Sequence, residues 1–487
     1  MIEGIFMILQ SILYPCDTCM CPELYYRNAD VFIQEENSIT IPAASHVSFF
    51  SYMNSFDIDF WKKYTTVLNV SLVAELSGKG TVLLKCRNGS DDIILSEYAF
   101  QTYDAQDFEE INMDIPLSWQ KGKCYFEIKS DTNVHMRNAR YETSDTMSAH
   151  HDIHIALNIC TYHRNEDIAR NITQLKKCRF FDTSDFLYHR LSIIIVDNGS
   201  ELETINESNI RLIHNKNTGG SGGFKRGLEE IRRWNEKITH VVFMDDDVEF
   251  LNESLYRLYA LLSYLKKEYE QEAVAGRMFR MDERHIQYTA AEIWNKGEIK
   301  HIGLNADMTK EDNVLTVNHN AGAEYGGWWF CCYPMSFAKV NDPLPFFIHC
   351  DDVEYGLRHG GTPIVLNGIQ VWHETYEYRQ SPVITYYDIR NSLFVNQAMG
   401  YVIDYKEILD NWFKQITNAH IKKNYIHEFM CIKGLRDFLR GFQWLYKVDC
   451  VKHHALLLKK RNLKIVNIFF WRYTKLLLER EIKHARN

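Results

Sequence analysis

No apolar run in the chain is long enough to cross a bilayer, so no membrane-spanning helix is expected. Positive charge is not in excess. The 55 Lys and Arg stand against 64 Asp and Glu, a net charge of −9, which argues against a general nucleic-acid binder while leaving room for a local basic face. There is no repeat and no low-complexity tract. The first fourteen residues are fairly apolar, but they carry Glu3 and lack a basic n-region. A secretory leader is therefore not expected, and a cytoplasmic location is, where the twelve cysteines stay reduced. Cys16, Cys19 and Cys21 crowd together without a second pair at zinc-finger spacing, and Cys331-Cys332 lies in an aromatic strand-like segment, so structural zinc is not expected.

At 487 residues the chain exceeds what one core can hold, and two or three domains are expected. A hydrophobic content of 46% with 24% charged residues is that of a soluble globular protein. Three zones differ in rhythm. Residues 1–150 alternate apolar and polar in short runs (Thr65 to Leu76, Gly80 to Arg87, Ile93 to Phe100, Lys123 to Ser130) separated by turn signals such as Gly78-Lys79-Gly80, the pattern of an antiparallel β-sandwich. Core packing is the expected role of its Phe49, Phe50 and Trp61, with a sugar groove as the alternative. Residues 151–400 alternate strand and helix: strands at Ile155 to Thr161, Leu191 to Val196, Ile210 to Ile213 and His240 to Met244, helices at Asp167 to Lys177 and Gly223 to Trp234. That order predicts an α/β domain with a parallel sheet covered on both faces. Residues 401–487 read as helical and basic. Leu435 to Leu445 and Leu456 to Glu479 are amphipathic, and Lys459, Lys460, Arg461, Lys464, Arg472 and Lys475 interleave with aromatic and aliphatic residues. A packed helical subdomain is the first reading, and an interfacial helix on anionic lipid the second.

The most telling stretch is Val241-Val242-Phe243-Met244-Asp245-Asp246-Asp247. A buried strand tolerates no charge along its length, so the acids must emerge at its carboxyl end, where open α/β sheets bind ligands. Carboxylates clustered there call for a hard cation, Mg²⁺ or Mn²⁺, holding a diphosphate. One helix earlier, Gly219, Gly220, Gly222 and Gly223 form a glycine-rich turn between a strand and a helix; they remove side chains where backbone must approach a ligand, and the helix N-terminus favours an anion. The loop has neither a terminal Gly-Lys-Ser/Thr nor the spacing of a dinucleotide fingerprint. Farther on, Asp351-Asp352 follows an aromatic run, and His373 ends a strand-like segment about twenty residues later, where imidazole can complete a metal site begun by carboxylates.

The order Thr161, Asp197, glycine-rich loop, Asp245-Asp246-Asp247, Gly327-Trp328-Trp329, Asp351-Asp352-Val353-Glu354-Tyr355-Gly356 and Trp372-His373 resembles family 2 glycosyltransferases of the GT-A fold. More narrowly, it resembles the polymerising galactofuranosyltransferases of mycobacterial galactan synthesis, whose entry segment is similar to Asn54-Ser55-Phe56 and Phe60 to Thr65. The likeness runs over residues 1 to about 400 and weakens in the helical tail. It implies a GT-A (Rossmann-like) domain preceded by a β-sandwich and followed by a helical region. It further implies that Thr161, Arg164 and Asp197 surround the uridine, and that Gly219, Gly220, Gly222, Gly223 and Asp246 lie near the donor. Asp245 and Asp247 would hold metal and diphosphate, with His373 as a further metal ligand. Asp352 would be the catalytic base with Asp351 beside it, Trp328 and Trp329 the acceptor platform, and Glu292 a contact for acceptor hydroxyls. Ile286 to Glu292 departs from the family's His-containing acceptor segment, which bears on acceptor and linkage rather than on reaction type.

The resemblance thus implies an inverting, Mn²⁺- or Mg²⁺-dependent transfer of galactofuranose from UDP-galactofuranose to a glycan or lipid-linked glycan in cell-surface polysaccharide synthesis. The alternatives are a related transferase with another donor, such as an activated rhamnose, a non-catalytic carbohydrate-binding protein, and a glycosidase. Oligomeric state is left open, a homo-oligomer included.

Overall fold

A computed structural model gives the architecture. It describes residues 6–460, apart from residues 16–18, 20, 29, 36, 105, 119, 146–150, 206, 235–236, 321, 376–380 and 402–403, together with residues 472, 474–476 and 479–480. The expected tail helix Leu456 to Glu479 and Cys16 thus lie largely or wholly outside the described residues.

The N-terminal part is two antiparallel sheets. The first runs Phe32–Glu35, Ser38–Ile41, Val134–Thr143, Val70–Ser77, Glu109–Ile115, with Met7–Ser11 paired to Val134–Thr143. The second runs His46–Ser48, Lys123–Ser130, Lys79–Asn88, Asp91–Gln101, with Phe56–Asp57 paired to Lys123–Ser130. Glu109–Ile115 shows why such sequences form half-buried strands: Ile111, Met113 and Ile115 are buried while Glu110, Asn112 and Asp114 face water. The sheets meet through aromatic side chains, Phe56 of one lying 5.1 Å from Tyr141 of the other. Phe49, stacked 4.2 Å from Phe126, and Trp61, parallel to Phe56 at 5.6 Å, are fully buried core residues. Phe50 is buried as well.

The central sheet runs Ile210–His214, Leu191–Asp197, Ile155–Thr161, His240–Asp245, Cys331–Pro334, Val274–Ala275. The first four strands are parallel and the last two pair antiparallel. Alternate residues of Ile155–Thr161 serve opposite layers. Ile155, Leu157 and Ile159 pack in one core with Ile168 and Leu175 of helix Asn165–Lys176, while Ala156 joins Phe224, Leu228 and Ile231 of helix Gly219–Ile231 in another. From Ile155–Thr161 the next two strands step to one side and His240–Asp245 to the other. The crevice where strand order reverses therefore opens between Thr161 and Asp245.

A smaller sheet runs Ala306–Asp307, Ile286–Thr289, Arg277–Arg280, Gln370–His373. Ile364 to Leu366 contributes only a bridge from Ile364 to Val274. The sandwich is locked to the α/β domain by buried Arg257, which donates to the carbonyls of Met53 at 2.8 Å and Asn367 at 3.0 Å and to Glu253 at 2.9 Å. Glu253 in turn accepts from Ser11 N–H at 2.7 Å.

Helices Pro382–Ala398, Tyr405–Ile421, Tyr425–Phe438, Gly441–Lys447 and Cys450–Leu458 close the chain. The amphipathic stretch expected as one helix over Leu435 to Leu445 is broken, because Gly441 takes a left-handed φ of +74° that ends one helix and starts the next. Phe394, Trp412 and Leu435 of these helices pack with Phe346, Cys350 and Val353. The helical region is thereby seated on the loop that carries the second acidic pair.

Candidate active site

Three side chains from two elements converge at the switch point. After the acidic triplet the chain pairs antiparallel with the strand Gln370–His373: Trp372 N–H donates to Glu249 O at 2.7 Å and Glu249 N–H to Trp372 O at 2.9 Å. This register sets His373 beside the acids. Its Nε2 lies 3.2 Å from Asp247 Oδ1 and 3.6 Å from Asp245 Oδ2, and one ligand atom from each of the three falls within 4.8 Å of the others. His373 is 2% exposed, and neither ring nitrogen makes a hydrogen bond among the described residues. A buried imidazole without a hydrogen bond is costly, and facing two carboxylates it suits a divalent cation. Among the described residues no other group of this kind occurs. Arg164 pairs with Asp247 and reaches to 3.9 Å from Asp246. Burial, and then the neighbouring Asp247 charge, push the Asp246 carboxyl up to about 6.

Beside this cluster lies a cavity of about 350 Å³ whose walls include Thr161, Arg164, Asn198, Gly219, Gly220 and Asp246. The glycines enter the helix earlier than expected, since it starts at Gly219 instead of Gly223. Gly219 has φ +72°, and a Cβ there would lie 2.1 Å from the Phe347 carbonyl oxygen. A Cβ on Gly223 would lie 2.1 Å from Cys160 Sγ, so this glycine brings the helix onto the sheet. A Cβ on Gly222 would strike the Thr218 side chain at 2.5 Å. Asp197 is not on the cavity wall. Its carboxylate accepts from the N–H groups of Gly199, Ser200, Glu201 and Leu202 at 2.7–2.9 Å, and these bonds overcome the burial that opposes ionisation and hold its pKa below the usual range. It shapes the loop after its strand.

A second cavity, about 1000 Å³, meets the first at Gly220 and Ile348 and is lined by Asp245, Asp351 and Asp352. Both acids open the helix Asp351–His359, whose entry is unusual: Phe347, His349 and Cys350 all have φ between 62° and 76°. Such left-handed positions are strained for side-chain-bearing residues and persist only when packing dictates them. Here Phe347 N–H donates to Ser221 Oγ at 2.8 Å, tying the acidic loop to the glycine-rich helix. Burial pushes the Asp351 carboxyl up to about 6. Desolvation by the cavity walls, then the charges of Asp351 and Glu292, raise Asp352 well above the ordinary carboxylate range.

Trp328 and Trp329 lie on the wall of this cavity but are mostly buried, at 4% and 2% exposure. Trp328 packs against Phe224, Phe243 and Tyr355, and Trp329 donates Nε1–H to Gly276 O at 2.8 Å. Glu292 is buried behind the wall, paired with His301 at 2.9 Å. Its reach into the site is electrostatic, through Asp352. A separate cavity of about 830 Å³ between the sandwich and residues 312–320 holds none of the expected site residues.

Sequence reading missed several lining residues. Asn198 follows Asp197 directly and donates to Gly219 O at 3.0 Å, linking one strand end to the glycine turn. Trp294, on the hairpin Glu292–Asn295/Glu298–His301, lines the larger cavity and donates Nε1–H to Asn396 at 2.8 Å. His349 pairs with Asp388 at 2.9 Å on the same wall. His454 lines the smaller cavity from a helix far along the chain, and no local motif points to it.

Comparison with known proteins fits this geometry. Residues 16–144 match the family described as Galactofuranosyltransferase 2 N-terminal, and residues 157–318 match Glycosyl transferase family 2. The chain is 25% identical to Galactofuranosyltransferase GlfT2 of Mycobacterium tuberculosis over 450 residues, 84% of this chain and 68% of that protein. It is 25% identical to the Mycolicibacterium smegmatis protein of the same name over 452 residues, 84% of this chain and 66% of that one. It thus spans about two thirds of the length of these relatives. The solved mannosyltransferase PcManGT from Pyrobaculum calidifontis aligns over 66% of this chain at 11% identity with a TM-score of 0.31, too low to carry weight. Residues 157–318 thus form a family 2 glycosyltransferase domain with the GT-A fold, in a chain related to the galactofuranosyltransferases GlfT2.

Proposed function

We propose that the protein is an inverting, divalent-metal-dependent galactofuranosyltransferase that moves galactofuranose from UDP-galactofuranose to a glycan acceptor, lipid-linked or free, in cell-surface polysaccharide synthesis. One observation carries the reading: the Asp245–Asp247–His373 cluster, with its buried, hydrogen-bond-free imidazole, stands between a small cavity built on a glycine turn and a larger one floored by two carboxylates of raised pKa.

Asp245, Asp247 and His373 fit Mn²⁺ or Mg²⁺, and such an ion, when bound, supplies charge stabilisation to a departing diphosphate. Thr161, Arg164, Asn198 and the Gly219–Gly220 turn hold the nucleotide. Asp352 takes the proton from an acceptor hydroxyl as its oxygen attacks the anomeric carbon; the bond from that carbon to the diphosphate breaks, and UDP leaves with the electron pair. A carboxylate with a raised pKa is the stronger base and suits this task. Attack opposite the leaving group, with no enzyme nucleophile, inverts the anomeric centre, giving a β-galactofuranoside from the α-linked donor. The acceptor lies in the larger cavity, between Trp294, Trp328 and Trp329 on one side and a polar stripe on the helix Pro382–Ala398 on the other. That stripe is Thr385, Asp388 and Ser392, at helical spacing. Apolar faces for sugar C–H groups opposite hydrogen-bonding groups suit a glycan.

Peripheral contact with an anionic membrane is part of this reading. On helices Gly441–Lys447 and Cys450–Leu458, exposed Tyr446, Val451, Leu456 and Leu458 lie among Lys447, Lys452, Lys459 and Lys460. Co-sedimentation with anionic but not neutral vesicles is expected. No helix among the described residues is long and apolar enough to cross a membrane.

The decisive assay is UDP release with UDP-galactofuranose against UDP-galactopyranose, in Mn²⁺ and in chelator, with a short β-galactofuranoside acceptor. Metal-dependent turnover confined to the furanose donor is expected. Equal or better turnover with the pyranose donor, or with an activated rhamnose, would overturn the donor assignment.

A further inference from the structure

Beyond residue 318, where the family 2 match ends, Phe347, Ile348 and His454 still line the smaller cavity, and of these only His454 comes from the C-terminal helices. His454, on the helix Cys450–Leu458, lines it together with Thr161, Asn198, Gly219 and Asp246. We propose that His454 is a donor-binding residue, and that the nucleoside-diphosphate site is composite, with one wall supplied by the C-terminal helical region. The proposal rests on the transferase reading above and adds to it a binding group from a different part of the chain.

The imidazole is held from three directions. Tyr387 OH lies 3.0 Å from its Nδ1, and the Tyr387 ring lies nearly parallel to it at 5.8 Å. The Phe347 ring lies 4.8 Å away. One residue type explains the placement of the next. Gly219 lacks a Cβ, so the Phe347 carbonyl seats against the glycine turn; Phe347 then presents its ring to His454. Leu457, one turn along the same helix, is buried with Phe347, Tyr386 and Tyr387 and pins the helix there. The outward face of that helix carries Val451, Lys452, Leu456 and Lys459, so the inward face is free to serve the cavity.

With Nδ1 engaged by Tyr387, Nε2 is the ring atom left to meet a ligand. Burial, then the neighbouring His453, lower the His454 pKa, so the ring acts as a neutral hydrogen-bonding group and not as a fixed cation. A neutral donor or acceptor fixed by aromatic neighbours suits an oxygen of a nucleotide's ribose or diphosphate, which two charged groups, Arg164 and Asp246, already flank in the same cavity.

The test is titration calorimetry of UDP, with Mn²⁺ present, on the full chain and three variants. His454→Ala should weaken UDP binding about tenfold, the worth of one well-placed hydrogen bond plus lost ring contact. His454→Gln, which keeps a hydrogen-bonding group, should recover part of that loss. Tyr387→Phe, which removes the orienting hydroxyl without touching the cavity, should weaken binding about threefold. In turnover the donor KM should rise in step while kcat and the acceptor KM hold, a split that mere loosening of the fold does not produce. Wild-type UDP affinity in His454→Ala would overturn the proposal, as would a donor KM and acceptor KM that rise together. Binding of UDP by the wild-type chain with no effect of the variants would leave the transferase reading standing and this one refuted. Failure of the wild-type chain to bind UDP, GDP or dTDP at all would sink both.

Discussion

The sandwich and the cleft both bury charge, but in opposite conditions. In the sandwich, Asp57 accepts from Lys123, from Phe60 N–H at 2.9 Å and from Asn318 at 3.0 Å; these partners overcome its burial and hold its pKa below the usual range. In the cleft, His373 is buried without a hydrogen bond among the described residues, and Asp246, Asp351 and Asp352 are all pushed upward by burial first, with the charge of Asp247 adding at Asp246 and those of Asp351 and Glu292 at Asp352. The first arrangement is complete, and anything added would disturb it. The second is left incomplete by the protein alone, and on the function proposed above a cation and a proton-donating substrate would relieve it. The cleft differs in this from the 830 Å³ cavity beside Asp57, none of whose lining residues carries a buried side-chain polar atom without a partner.

If that contrast is right, the cleft should fail in activity and the sandwich in stability. The largest effect is expected on removing the cation or its ligands. Chelation, or Asp247→Ala, should lower kcat/KM on the order of 10⁴-fold or more, because several kcal/mol of charge stabilisation disappear. The folded protein should keep its melting temperature to within a few degrees, read by calorimetry. Asp352→Asn comes next. It should cost about 10²–10⁴-fold in kcat with nearly unchanged UDP affinity, since only proton transfer is lost. A variant that loses UDP affinity to the same degree would place Asp352 in donor binding instead. Lys123→Met is the counterpart in the sandwich. It leaves Asp57 buried without its partner and should destabilise by about 3–5 kcal/mol, while kcat per folded molecule is retained. A loss of stability at the cleft variants and not at Lys123→Met would invert the comparison.

What was legible in the sequence follows the same division. Asp245-Asp246-Asp247 could be placed at a strand end from local pattern alone, because a charge run after an apolar run can only lie where the strand leaves the sheet. The alternating runs gave the strands of the sandwich for the same reason, period two against a one-sided core. Features that depend on contacts across the chain were not legible. The helix begins at Gly219 because Phe347 from a distant loop packs there; by propensity alone four nearby glycines argue for a later start. Trp328 and Trp329 carry the same letters whether they lie in a wall or in a core, and the packing of Phe224, Phe243 and Tyr355 decides for a mainly buried pair. The four N–H bonds to Asp197 come from its own next five residues, yet no spacing rule distinguishes such a nest from an acid left open to ligand. His454 has no signal at all, since it reaches the cavity only through helices from beyond residue 380.

The smallest effect is the most discriminating, because it concerns the sign of a pH response. Asp351 and Asp352 have pKa values above the ordinary carboxylate range, so both bind protons more readily in the folded chain than in the unfolded one. Their ionisation therefore costs stability as pH rises through about 6, the value to which Asp351 is pushed. Asp57 lies on the other side: its lowered pKa gives stability at neutral pH that is lost as pH falls through the carboxylate range. Activity should follow the cleft pair, climbing with pH as the carboxyls ionise, with an acid limb that belongs to the pair and not to one residue. Asp351→Asn removes a negative neighbour, so Asp352 should ionise more easily and the acid limb of kcat/KM should move to lower pH, by roughly one unit. A limb that stays in place would show that burial alone sets Asp352. A limb that moves to higher pH would mean that Asp351 helps to hold the ionised base instead of opposing it, and the crowding on which the contrast between cleft and sandwich depends would not exist.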